Sequence, residues 1–149
     1  MRGYNTPLEI SFMSPAAAHH QGKRILIVDD LADNLFLLEA ILIEEGFEVA
    51  SAKTGKAALS LLEAAPPDLA LIDAMMPGMD GYELTRRIRQ NKSLPFIPVL
   101  LITASEEASA EQGLDLGAND FIRKPIDYDE LMARINAFLQ LKDPIPSNQ

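Results

Sequence analysis

The sequence contains no cysteine and no tryptophan. Without thiols there is no disulfide framework, no thiolate nucleophile and no thiolate zinc site, and the redox compartment is left open. No apolar run approaches the roughly 18 residues of a membrane span, and the N-terminus lacks a basic region followed by an apolar core and a cleavage site. Cytoplasmic residence and no membrane contact are the default expectations. Positive charge is scarce: 13 lysines and arginines stand against 22 acids, for a net charge of −9 and a pI near 4.6. That balance disfavours direct binding of nucleic acid or an anionic lipid surface. A chain of 149 residues suits one domain with a real core and is too short for two.

What is present is a regular alternation. Residues 1–22 mix prolines, alanines and scattered apolar residues without a period, and read as a disordered leader or an expression remnant, a reading that outranks a metal role for His19 and His20. Lys23 to Asp30 is a β-branched run ending in acids, followed by helical spacing of leucine and isoleucine from Asp33 to Glu45. Phe47 to Ala52 reads as strand, and Gly55 to Ala64 as helix with Thr54 as its cap. Asp68 to Asp73 is the third strand, and Asp80 with Glu83 forms a capping-box pattern opening a helix to about Asn91. Ile97 to Thr103 is the fourth strand, and Ser105 is placed to cap an Ala- and Glu-rich helix ending at Gly117. Asn119 to Arg123 is the fifth strand. Asp127 and Glu130 repeat the capping pattern before a helix whose apolar face carries Leu131, Ile135 and Phe138. Residues 143–149, with Pro144 and Pro146, read as a flexible tail.

Five strand-helix units with non-alternating strands imply an α/β fold, a doubly wound parallel sheet with right-handed crossovers. Ligands in such folds sit beyond the carboxyl ends of the strands. Asp29 and Asp30 end the first strand, Asp73 the third and Thr103 the fourth, and Lys124 follows the fifth, so all five fall on one edge. Singly, each has a bland explanation: Asp29 or Asp30 as the cap of the first helix, Thr103 as the cap of the fourth, Lys124 as a solvated lysine. Together they do not, because clustered carboxylates repel unless a cation compensates them. A hard divalent ion such as Mg²⁺ accepts one or two carboxylates and leaves room for a phosphate oxygen. The set reads as phosphoryl transfer onto a carboxylate, with Asp73, at the head of the loop Ala74-Met-Met-Pro-Gly-Met-Asp80, as acceptor.

Val28-Asp-Asp30, Asp73-Ala-Met-Met-Pro-Gly-Met-Asp-Gly81, Thr103-Ala104 and Lys124-Pro125 resemble, in residue type, order and spacing, the CheY-like receiver domain of two-component response regulators. The likeness runs from about Lys23 to Leu141 and places a receiver domain over residues 23–142. It implies a flavodoxin-like (βα)5 fold with strand order 2-1-3-4-5. It further implies a non-enzymatic module phosphorylated on Asp73 by a histidine kinase or histidine phosphotransfer protein, dependent on Mg²⁺ with Mn²⁺ as the substitute ion. Asp30, Asp73 and the Met75 backbone carbonyl would hold the metal, with Asp29 acting from behind them. Thr103 and Lys124 would bind the phosphoryl group alongside the backbone of Ala74 and Ala104. Thr103 and Phe121 would form the switch, and Phe121 departs from the tyrosine often found there. Met75 and Ser105 correspond to a variable pair that shapes water access to the phosphoryl bond. Lys124-Pro125 is expected to be cis. The face from about Glu106 to Leu116, with the fifth strand and last helix, would dock a partner or a second copy. That fourth helix carries Ala108, Ala110 and Gly113 where its neighbours carry leucines, which predicts one of the less stable elements.

Rival readings fit less well. A haloacid-dehalogenase-like phosphatase places its two acids two residues apart, whereas Asp29 and Asp30 are adjacent, and no cap domain is legible. A flavodoxin-like cofactor carrier needs a Ser/Thr/Gly-rich phosphate loop where this chain has Leu31-Ala-Asp-Asn34. A docking module that has lost phosphorylation would not keep all five site residues. With no recognisable output segment in the sequence, the expectation is a free-standing receiver or one piece of a hybrid kinase or longer regulator.

Overall fold

A computed structural model describes residues 22–104 and 107–142. Five strands form one parallel sheet: β1 (Arg24–Val28), β2 (Glu48–Ala52), β3 (Leu69–Asp73), β4 (Val99–Thr103) and β5 (Asp120–Arg123). Among the described residues five helices alternate with them: α1 (Ala32–Glu44), α2 (Gly55–Ala64), α3 (Gly81–Gln90), α4 (Glu107–Asp115) and α5 (Tyr128–Lys142). The strand order is β2-β1-β3-β4-β5, as expected. The expectations for residues 1–21, for the Ser105 cap and for the tail 143–149 lie outside the described residues. Among the described residues no helix is long and apolar enough to cross a membrane.

Alternation along the strands splits the core into two layers. Leu26, Val28, Ala70, Ile72, Val99 and Leu101 pack with residues of α2 and α3, including Ala58, Leu62, Leu84 and Ile88. Their strand neighbours Ile25, Ile27, Leu69, Leu71, Leu100 and Ile102 pack with Leu35, Leu38 and Leu42 of α1 and Leu131, Ile135 and Leu139 of α5. All five residues of β3 and of β4 are buried, which is why those segments read as apolar runs and not as alternation. The apolar stripe of α5 closes on Leu139, with Phe138 only partly buried beside it.

Side-chain capping matches the sequence at three helices. Thr54 accepts from the Ala57 N–H at 3.0 Å, Asp80 from the Glu83 N–H at 2.9 Å, and Asp127 from the Asp129 and Glu130 N–H groups at 3.0 and 3.2 Å. The Glu83 carboxylate is taken up by Arg86 and Arg87, which hold its pKa down to about 2. Helix α1 begins at Leu31 with no side-chain cap, so neither Asp29 nor Asp30 serves there.

Candidate functional site

Strand β3 delivers Asp73 to the carboxyl edge of the sheet, where it is 3% exposed. The loop after it is closed by backbone bonds: the Ala74 N–H donates to the Ile102 carbonyl at 2.8 Å and the Gly81 N–H to the Ala74 carbonyl at 2.9 Å. Gly81 is obligatory, since a Cβ there would lie 2.3 Å from the Asp73 carbonyl oxygen. Gly78, at φ +75°, supplies the left-handed turn within the loop. The acid is thus fixed by close backbone approach on both sides.

Of the two expected backbone donors, Ala74 has its amide already engaged. Its N–H is consumed by the sheet, because pairing of β3 with β4 runs through Asp73 opposite Ile102 and one bond beyond. The amide that faces the acid belongs to Met75, whose N–H donates to Asp73 Oδ1 at 3.2 Å while its side chain stands 63% exposed. Ala104 follows Thr103 and is exposed.

Asp29 is buried and Asp30 half-buried at the end of β1. Asp29 is already engaged: Oδ1 accepts from the Leu31 N–H at 2.9 Å and Oδ2 from Asn34 Nδ2 at 3.1 Å. Sequence reasoning passed over Asn34; its only signal was an amide one helical turn beyond the acids. One carboxylate oxygen from each of Asp29, Asp30 and Asp73 lies within 4.8 Å of the others. The donor set is oxygen only, with two of the three acids buried, which fits a hard divalent cation and not zinc.

Lys124 reaches in from the far side, its Nζ 3.5 Å from Asp73 Oδ1, and its N–H donates to the Thr103 carbonyl at 2.9 Å. The Lys124–Pro125 peptide is cis, as expected. Thr103 is buried at the end of β4, beside Asp73 on the same edge. Burial is the largest influence on Asp73 and pushes its pKa above the ordinary value; the Met75 N–H pulls it back, the Asp29 charge adds to the rise, and Lys124 opposes it. A cavity of about 200 Å³ opens beside Lys124, lined also by Asp29, Asn34, Leu37, Ile126 and Tyr128. Phe121 lies two residues down β5, half-buried, with the Arg123 guanidinium 5.4 Å from its ring and its carbonyl accepting from Arg134 at 3.2 Å.

A five-stranded doubly wound sheet of this order, with acids, hydroxyl and lysine gathered on its carboxyl edge, defines a receiver module. The chain belongs to the response regulator receiver domain family, whose model matches residues 25–136. It is 44% identical over 120 residues to the response regulator PleD of Caulobacter vibrioides, covering 80% of this chain and 26% of that protein. It is 40% identical over 124 residues to the phosphate regulon transcriptional regulatory protein PhoB of Pseudomonas aeruginosa, covering 83% of this chain and 54% of that one. The signal receiver domain of a signal transduction histidine kinase from Syntrophus aciditrophicus superposes with a TM-score of 0.77 at 34% identity, covering 85% of this chain and 96% of that one. The chain spans about a quarter to a half of the two curated relatives named. It is a phosphoacceptor module of two-component signalling, a class that receives its phosphoryl group from histidine kinases and generally binds Mg²⁺ through acidic residues.

Proposed function

We propose that Asp73 is the phosphoacceptor of this module. The observation that carries this is a buried carboxylate held between an amide and an ammonium, with two further acids within metal-sharing distance. A divalent cation held by Asp30, Asp73 and the Met75 carbonyl would neutralise charge on the phosphoryl oxygens. Asp29, fixed by Leu31 and Asn34, orients that site from behind. Lys124 supplies a second positive charge, Thr103 a hydroxyl donor, and the Met75 N–H, in place of Ala74, joins Ala104 as a backbone donor. The cavity beside Lys124 gives a phosphohistidine donor, from a kinase or phosphotransfer protein, room to approach.

The receiver unit spans residues 23–142, works in the cytoplasm without enzymatic turnover of its own, and binds neither nucleic acid nor membrane directly. Thr103 and Phe121 relay the phosphorylated state to the face formed by α4, β5 and α5, which then docks a partner or a second copy. With Mg²⁺ and acetyl phosphate the chain should gain one acid-stable, base-labile phosphoryl group, and Asp73→Asn should gain none. Equal labelling of the variant would remove Asp73 from the role.

A further inference from the structure

The opposite end of α4 from Thr103 is locked. The helix closes on a Schellman arrangement: the Ala118 N–H donates to the Gly113 carbonyl at 3.0 Å and the Gly117 N–H to the Leu114 carbonyl at 3.0 Å, with Gly117 at φ +113°. Arg89 of α3 then seizes this terminus. Its Nε donates to the Gly117 carbonyl at 2.8 Å, one terminal nitrogen to the Ile97 carbonyl at 2.7 Å, and the other to Asn119 Oδ1 at 2.9 Å. The same Asn119 oxygen accepts from the Val99 N–H at 2.9 Å, tying the knot to the start of β4. Packing leaves no slack: a Cβ on Gly117 would lie 2.6 Å from Arg89 Cγ. One turn back, a Cβ on Gly113 would lie 2.3 Å from Leu101 Cδ1 and 3.2 Å from the Tyr82 ring. Tyr82 and Arg89 are seven apart, on one face of α3; Tyr82 meets Gly113 within α4, and Arg89 meets Gly117 just past its end.

We propose that α3, through Arg89 and Tyr82, clamps the C-terminal end of α4. Movement of α4 on phosphorylation then pivots about Gly117 and is largest at the end joined to Thr103. This rests on the reading of α4 as part of the switch face and adds where that helix is held. A guanidinium fork bound to three neutral acceptors carries no charge pair that phosphorylation at Asp73 would break. Arg89 is a positioning residue and touches none of the reacting groups.

The test is amide NMR on the whole chain with and without beryllofluoride and Mg²⁺, binding being verified by the fluorine signal. In the native protein, shifts should change at Ala104 and through residues 107–112 while residues 116–119 stay unchanged and protected from exchange. In Arg89→Met, exchange at Leu116, Gly117 and Ala118 should accelerate about tenfold and the shift changes should extend to Asn119. Arg89→Lys keeps the charge but gives up the fork, and should spread the changes the same way. Native changes as large at 116–119 as at 107–112 would leave the switch standing and overturn the pivot. So would a native-like pattern in either folded variant. No change anywhere in α4 with beryllofluoride bound would overturn the switch reading and the pivot together.

Discussion

Two charged side chains, Asp73 and Arg89, sit at opposite ends of the sheet and are treated in opposite ways. Arg89, half-buried, meets three neutral acceptors arranged around its fork and stacks 5.2 Å from the Phe96 ring; burial lowers its pKa, yet its donors are well spent. Asp73 is buried with one amide and one distant ammonium on its side and Asp29 against it, so its proton is held more tightly than usual. A group whose partners are supplied by the fold is part of the scaffold. A group left short of compensation, on the ligand-binding edge, is waiting for a cation and a reaction.

The sharpest way to break the comparison is to remove the well-served charge. Arg89→Met should destabilise the domain by about 2–3 kcal/mol, because the Gly117 and Ile97 carbonyls lose the Arg89 donor at once and the Asn119 oxygen keeps only the Val99 N–H. Denaturant unfolding reads this directly; a cost below about 0.5 kcal/mol would mean water replaces the fork freely. At the other end, Asp30→Ala should weaken Mg²⁺ binding about 10- to 100-fold. Lys124→Ala should keep Mg²⁺ while lowering phosphoryl incorporation, since an ammonium coordinates no metal. Equal loss of metal in both variants, measured by titration calorimetry, would show the roles wrongly divided.

The pH dependence of stability separates the two sites further. A carboxyl whose folded pKa is raised binds more protons in the folded than in the unfolded state over the interval above its ordinary value of 3.8. In chelator, Asp73 therefore makes stability fall as pH rises through that interval, opposite to an ordinary paired carboxylate. Asp73→Asn should flatten this slope, and Mg²⁺ at neutral pH should recover the lost stability. An unchanged slope in the variant would mean the burial is relieved by other groups.

The fold was legible because its signals were redundant: buried strands as apolar runs, helices at their own period, and glycine or proline between them. The acids, Thr103 and Lys124 were legible because sheet topology alone brings strand ends together. The engagement of the Ala74 N–H was not legible, because residue type says nothing about which amide the β3–β4 ladder consumes; that depends on register by a single residue. Asn34 and Arg89 were passed over for a related reason. An amide on a helix and one arginine among several reveal their partners only once loops distant in sequence are placed beside them. At Gly113, one of the small residues of α4, the missing side chain is what permits tight seating on Leu101 and Tyr82.

Tyr82 offers the smallest and most discriminating change. The residue is 7% exposed, and among the described residues its hydroxyl is the one buried side-chain polar atom without a hydrogen-bond partner. The ring fills the space against Gly113, so the clamp uses its shape and makes no use of its oxygen. An unpaired buried hydroxyl is a cost that the phenyl analogue avoids. Tyr82→Phe should therefore leave stability unchanged or raise it by up to about 1 kcal/mol, whereas Tyr82→Ala should lose about 3 kcal/mol or more through the cavity it opens. If thermal unfolding showed Tyr82→Phe to be destabilised by as much as a lost hydrogen bond, the hydroxyl would have a partner, and α3 would grip α4 through polarity as well as fit.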